Sequence, residues 1–199
     1  ARGSASISLG QQNISQGERS VTIGYSNRAL GNYSYSHGRA NLASATYASA
    51  TGYKTKATGM YATTSGVSTT ASGSSSIAEG NTTTASGDCS HAEGHGTIAQ
   101  GQNQHVQGRY NIEDTANKYA HIVGNGTSSS AKSNAHTLDW NGNGWYAGKL
   151  SQDGTPTGDK DLTTKKYVDD LVKNSTAMCT DEEIDNMLNE VLGGDYSGN

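Results

Sequence analysis

The sequence predicts a mainly β chain, a narrow solenoid of 14-residue coils, and three observations lead there. Glycine recurs every seven residues, at positions 3, 10, 17, 24, 31, 38, 52, 59, 66, 73, 80, 87, 94, 101 and 108, with Ala45 alone breaking the series. Two residues before these positions stands a small or β-branched residue: Ala at 29, 43, 50, 57, 71, 78, 85, 92 and 99, otherwise Ser8, Ser15, Thr22, Ser36, Thr64 or Val106. Four before, Ser, Asn or Thr is usual, as at Asn27, Ser34, Asn41, Thr55, Ser76 and Ser90.

The spacing inside each unit is two, the period at which alternate side chains of a strand share one face. Glycine then supplies the bend, where a positive φ or a close backbone approach costs little. Each heptad reads as a short strand plus a bend, and two heptads close one coil. About eight coils, at roughly 4.8 Å per layer, give a rod on the order of 40 Å tall. A period of seven also suits a coiled coil. Gly, Ala, Ser and Thr offer no apolar seam, however, and as a group form helices poorly.

Composition agrees. Hydrophobic residues make up only 32% of the 199, Phe is absent and Gly (26) outnumbers every large apolar type. Such a chain builds no large Leu and Phe core and must stack small side chains in a repeating pattern. A charged fraction of 16% lies below that of typical disordered segments. The net charge of -4, with no basic cluster, excludes nucleic acid as the main partner, and no apolar run is long enough to insert in a membrane. Cys89 and Cys179 lie in segments of different character, so no disulfide is expected. The opening Ala1-Arg2-Gly3-Ser4 carries neither an initiator Met nor an apolar leader, and reads as the start of a processed or excised piece.

Units such as Asn32-Tyr33-Ser34-Tyr35-Ser36-His37-Gly38 and Asp88-Cys89-Ser90-His91-Ala92-Glu93-Gly94 resemble the head repeats of the YadA-like trimeric autotransporter adhesins. The resemblance covers residues 1–108. It implies a left-handed parallel β-roll that works as a homotrimer. From the residues themselves, no metal, cofactor or catalytic residue is expected.

Splitting the heptads into alternate sets separates the two sides of the roll. Beside one set of glycines the outward residues include Ile7, Leu9, Val21, Ile23, Tyr35, Ile77, His91, Glu93 and His105, with no Arg or Lys; the other set carries Arg28 and Lys56. The first face is therefore expected to pack around the trimer axis. His91 and His105 are 14 apart and so sit in adjacent layers. A three-fold axis could gather them into a metal or anion site, but a His–Glu network between subunits, using Glu79 and Glu93, is the preferred reading. Tyr33, Tyr47 and Tyr61, also 14 apart, should form a ladder along one edge. They are candidates for stacking on a surface ligand such as a sugar, although bracing the coils is the simpler role.

After Gly108 the repeat stops. Residues 109–150 hold both Trp residues and an Asn141-Gly142-Asn143-Gly144 turn between aromatic runs, a hairpin signal within a small β-rich cap. The stretches Tyr119–Gly126 and His136–Gly148 resemble a module of phage tail-fibre and tailspike proteins. In some relatives that module cleaves itself after trimerisation, which would recruit Ser133, His136 and Asp139. Residues 151–160 read as a linker and 161–199 as a helical, trimerising segment. Thr164-Lys165-Lys166-Tyr167-Val168-Asp169 resembles helices that follow such modules, and Thr180 with Glu183 makes a capping box before an apolar face.

The function expected is structural and adhesive, not enzymatic: a phage tail-fibre or receptor-binding protein on the virion, meeting other tail or baseplate proteins and a host-surface glycan or protein. The head of a trimeric adhesin on a bacterial surface is the alternative, and a self-cleaving tailspike the third reading.

Overall fold

The computed structural model describes residues 1–150, 168–170, 172–173, 183 and 186. Residues 1–148 form one compact unit, a β-solenoid. Its coils each contain a five-residue strand and a two-residue strand: β1 (Ile7–Gln11) and β2 (Ile14–Ser15), β3 (Val21–Tyr25) and β4 (Arg28–Ala29), β5 (Tyr35–Arg39) and β6 (Leu42–Ala43), β7 (Ser49–Tyr53) and β8 (Lys56–Ala57). The series continues with β9 (Thr63–Val67) and β10 (Thr70–Ala71), β11 (Ile77–Asn81) and β12 (Thr84–Ala85), β13 (His91–His95) and β14 (Ile98–Ala99), then β15 (His105–Arg109). Odd strands stack in parallel into one sheet and even strands into another, each residue over its counterpart 14 positions along, as Ile7 pairs with Val21 and Ala71 with Ala85. The 14-residue coil expected from the heptads is thus the repeating unit.

The inward positions are those two and four before each seventh residue. Ala29, Ala43, Ala50, Ala57, Ala71, Ala78, Ala85, Ala92, Ala99 and Val106 have no exposure, nor do Ser15, Thr22, Thr55 and Thr69. The interior favours small residues because two strands face each other across it. Ser36 Oγ, Thr69 Oγ1 and Thr83 Oγ1 have no partner there, but the buried asparagine amides are held by a ladder. Asn27 Nδ2 donates to Ile23 O (2.8 Å) and Gly38 O (2.7 Å), while its Oδ1 accepts the Asn41 N–H at 3.1 Å. Asn41 repeats this toward His37 O, Gly52 O and the Thr55 N–H. Such satisfaction is what makes buried amides tolerable.

The glycines do not act as expected throughout. Gly10, Gly24, Gly38, Gly52, Gly66, Gly80, Gly94 and Gly108 lie inside the long strands, with φ between 96° and 119°. Their lack of a side chain serves backbone packing: a β-carbon on each would overlap the carbonyl oxygen of the equivalent glycine in the next rung. The left-handed turn residue is instead the one two places after each seventh position, usually not glycine, as at Tyr33 (φ 59°), Lys54 (φ 57°) and Cys89 (φ 56°). Only Gly96 fills that place with glycine. At Ala45 the turn persists with a β-carbon, but the bond that Gly31 N–H makes to Ala43 O (3.5 Å) has no equivalent from Ala45.

The cap continues the solenoid before it closes it. β16 (Tyr119–Asn125) adds a ninth parallel rung to the long sheet, with the offset widened to 16 as His105 pairs with His121 and Val106 with Ile122. Antiparallel strands β17 (Asn134–Asp139) and β18 (Gly144–Tyr146) follow, joined by the hairpin that the Asn-Gly-Asn-Gly motif predicts. The interior ends on a polar plug. Gln104 Oε1 accepts the Gln100 and Gly101 N–H groups, and its Nε2 donates to Asp114 Oδ2 at 2.9 Å and Tyr119 O at 3.0 Å.

In the second unit, residues 168–170, 172–173, 183 and 186 are helical. The expected linker 151–160, the Thr180 cap and the rest of both expected helices lie outside the described residues. Among the described residues no helix is long and apolar enough to cross a membrane.

Candidate functional site

Alternation along the long strands turns every other side chain outward, so the outer face of the long sheet carries columns of like-placed residues. One column reads Ile7, Val21, Tyr35, Ser49, Thr63, Ile77, His91, His105 and His121; its neighbour runs Leu9, Ile23, His37, Thr51, Ser65, Glu79 and Glu93. All nine residues expected on one face from the sequence are brought onto it.

The first coils make the face apolar. Ile7 and Leu9 are 49% and 56% exposed, with Val21 and Ile23 beside them half-buried. Parallel sheets are ordinarily covered on both faces. The apolar stripe here is left uncovered within the chain.

The cap end of the same face is a histidine column. His91 and His105 stack with ring centroids 4.8 Å apart and planes 6° off parallel, and His121 and His136 continue the series at 5.2 and 5.6 Å. Tyr146 closes it against His136 at 4.4 Å. Carboxylates flank it: Glu79 Oε2 lies 3.8 Å from His91 Nε2, and Glu93 Oε1 lies 3.5 Å from His105 Nε2. These pairs join successive coils of one chain. Burial, then the neighbouring His105 and His136, holds the His121 imidazole below its ordinary 6.5, while Glu93 pulls the other way.

Tyr33, Tyr47 and Tyr61 do form the expected ladder, at the turn edge. Their centroids are 5.0 Å apart at both steps, with planes within 12° of parallel. Ring faces between rungs are consumed by self-stacking, and Arg19 lies over Tyr33, so a sugar would find mainly edges. A second edge column went unnoticed in the sequence. Arg39 lies between Tyr25 (5.8 Å) and Tyr53 (5.6 Å), a cation–π sandwich across three rungs. Placing these residues one after each long-strand glycine would have found it.

The residues considered for self-cleavage are committed to different neighbours. Ser133 donates to Asn125, His136 stacks between His121 and Tyr146, and Asp139 holds the hairpin turn. A cleft of about 430 Å³ in the cap is lined by Glu113, Asp114, Lys118, Tyr119 and Trp145 among others. Its Glu113 pairs with Lys132, and its Asp114 serves the plug. Cys89 is an exposed free thiol at a turn.

The fold and its surfaces define a β-solenoid with one partly apolar face. No protein-family model matches the chain, and no curated protein matches it.

Proposed function

We propose that the chain is the shaft-and-cap portion of a homotrimeric phage tail-fibre or receptor-binding protein. Three left-handed solenoids would pack through the outer faces of their long sheets into one rigid rod, presented to the bacterial envelope. The carrying observation is the apolar stripe of exposed Ile7 and Leu9 with half-buried Val21 and Ile23 on a parallel sheet, a surface that a second and third copy would cover. Columns in register every 14 residues suit self-association, because each rung offers the same geometry to its copies. The placement on a phage virion is supported by the resemblance of Tyr119–Gly126 and His136–Gly148 to tail-fibre modules, and the solenoid itself is compatible with a bacterial adhesin head as well.

Adhesion in this reading comes from many weak contacts multiplied by three chains. The test is a glycan array, with envelope fractions of candidate host bacteria alongside, probed with the assembled protein and with a dissociated variant such as Ile23→Lys. Binding by the assembled protein, lost or strongly weakened in the variant, is expected. Assembled protein that binds no glycan and no envelope fraction would overturn the adhesive reading.

A further inference from the structure

We propose that His91, Glu93 and His105 form a binding site for one divalent transition-metal ion of the zinc, nickel or copper class. The site lies within one chain and does not depend on the trimer reading. β13 supplies His91 and Glu93, which share its outer face because they are two residues apart. β15, the next rung, supplies His105 directly over His91. One ligand atom from each of the three lies within 4.8 Å of the others.

Two features set this cluster apart from an ordinary surface ion pair. First, His91 Nε2 and His105 Nε2 are both shielded from solvent and make no hydrogen bond, with Glu79 and Glu93 at ion-pair distances of 3.8 and 3.5 Å. A shielded nitrogen that makes no hydrogen bond has a cost, which a metal bond to the neutral imidazole would remove. Second, the donors are placed by backbone register between hydrogen-bonded rungs. Metal bonds of roughly 2.0–2.2 Å would draw the two stacked imidazoles and the carboxylate together by rotation about their side-chain torsions.

The donor chemistry selects the ion. Two imidazoles with one carboxylate suit zinc, copper and nickel; calcium and magnesium prefer oxygen donors throughout. Glu79, beside His91 on the far side, adds negative charge that favours a cation. Water would complete the coordination.

The experiment is isothermal titration of the full chain, stripped with chelator, with zinc chloride, and a parallel cobalt(II) titration read by visible absorption. One ion per chain is expected. His91→Ala and His105→Ala should each weaken zinc binding by more than about tenfold, and Glu93→Gln by roughly tenfold. His37→Ala, on the same face at β5, should leave it unchanged. All four side chains point away from the solenoid interior, and unchanged circular dichroism and melting would confirm that the variants fold. Absence of saturable binding would overturn the site. So would binding that survives the His91→Ala/His105→Ala double variant, or one ion per three chains.

Discussion

A β-carbon on Gly52 would overlap the carbonyl oxygen of Gly66, one coil along, and stand 3.0 Å from its nitrogen. Gly52 also has φ +119°. The same relationship repeats from rung to rung, so the long sheet stacks backbone on backbone at these positions. Overpacking and positive-φ strain together put the cost of Gly52→Ala at about 2–5 kcal/mol. Gly148→Ala, with nothing near its β-carbon, should stay within about 0.5 kcal/mol. Urea denaturation of the two variants checks the contrast.

The Asn41 side chain ties its own coil to the next. Its Nδ2 donates to His37 O and Gly52 O, each at 2.7 Å, and its Oδ1 accepts the Thr55 N–H at 2.9 Å. Asn41→Ala strands buried groups and should cost about 2–4 kcal/mol. Asn41→Thr should cost markedly less, since Thr55, Thr69 and Thr83 fill the same column in later coils and are fully buried there. Equal losses in the two variants would show that the amide ladder is unimportant.

Asp139 holds the β17–β18 turn, accepting N–H groups of Asn141 (2.9 Å) and Asn143 (2.8 Å) and the Asn143 side-chain amide. The Asn143 hydrogen bonds keep its carboxyl below the usual 3.8. The folded state thus favours the charged form. Its contribution is complete above the ordinary carboxylate value and is lost as pH falls through the lowered one. Amide exchange at Ala147, which bonds Ala135 O at 2.9 Å, should quicken in that acid range and quicken at neutral pH in Asp139→Ala. Unchanged exchange in both would remove Asp139 from the turn's support.

Most of the solenoid was legible because its interior imposes a rule on sequence. Ala50, Ala78 and Ala92 are small because two strands face each other across the space they fill, and that demand repeats every seven residues. The role of the glycines was half legible. Spacing alone does not separate a bend from a close approach, and only the stacking of Gly52 on Gly66 reveals the latter. The turn after each seventh residue is where the sequence places Tyr47, but which residue there is left-handed carries no residue-type signal, because the position tolerates Tyr47, Lys54 and Cys89 alike. The ninth rung was hidden by a change of step. His121 follows His105 by 16 positions, not 14, so β16 fell outside the series although its Gly124 pairs with Gly108.

The candidate surface was legible as a set of residues and less so as chemistry. Alternation placed Ile7, Leu9, His91 and His105 on one face. That Glu93 pairs with His105 inside one chain at 3.5 Å depends on side-chain reach across a rung, which no period encodes.

Native mass spectrometry of the full chain at micromolar concentration reads whether two further copies cover the apolar face of the long sheet. A species of three times 20.7 kDa is expected, shifted toward 20.7 kDa by Ile23→Lys. A wild-type chain that remains at 20.7 kDa would rule out the trimer.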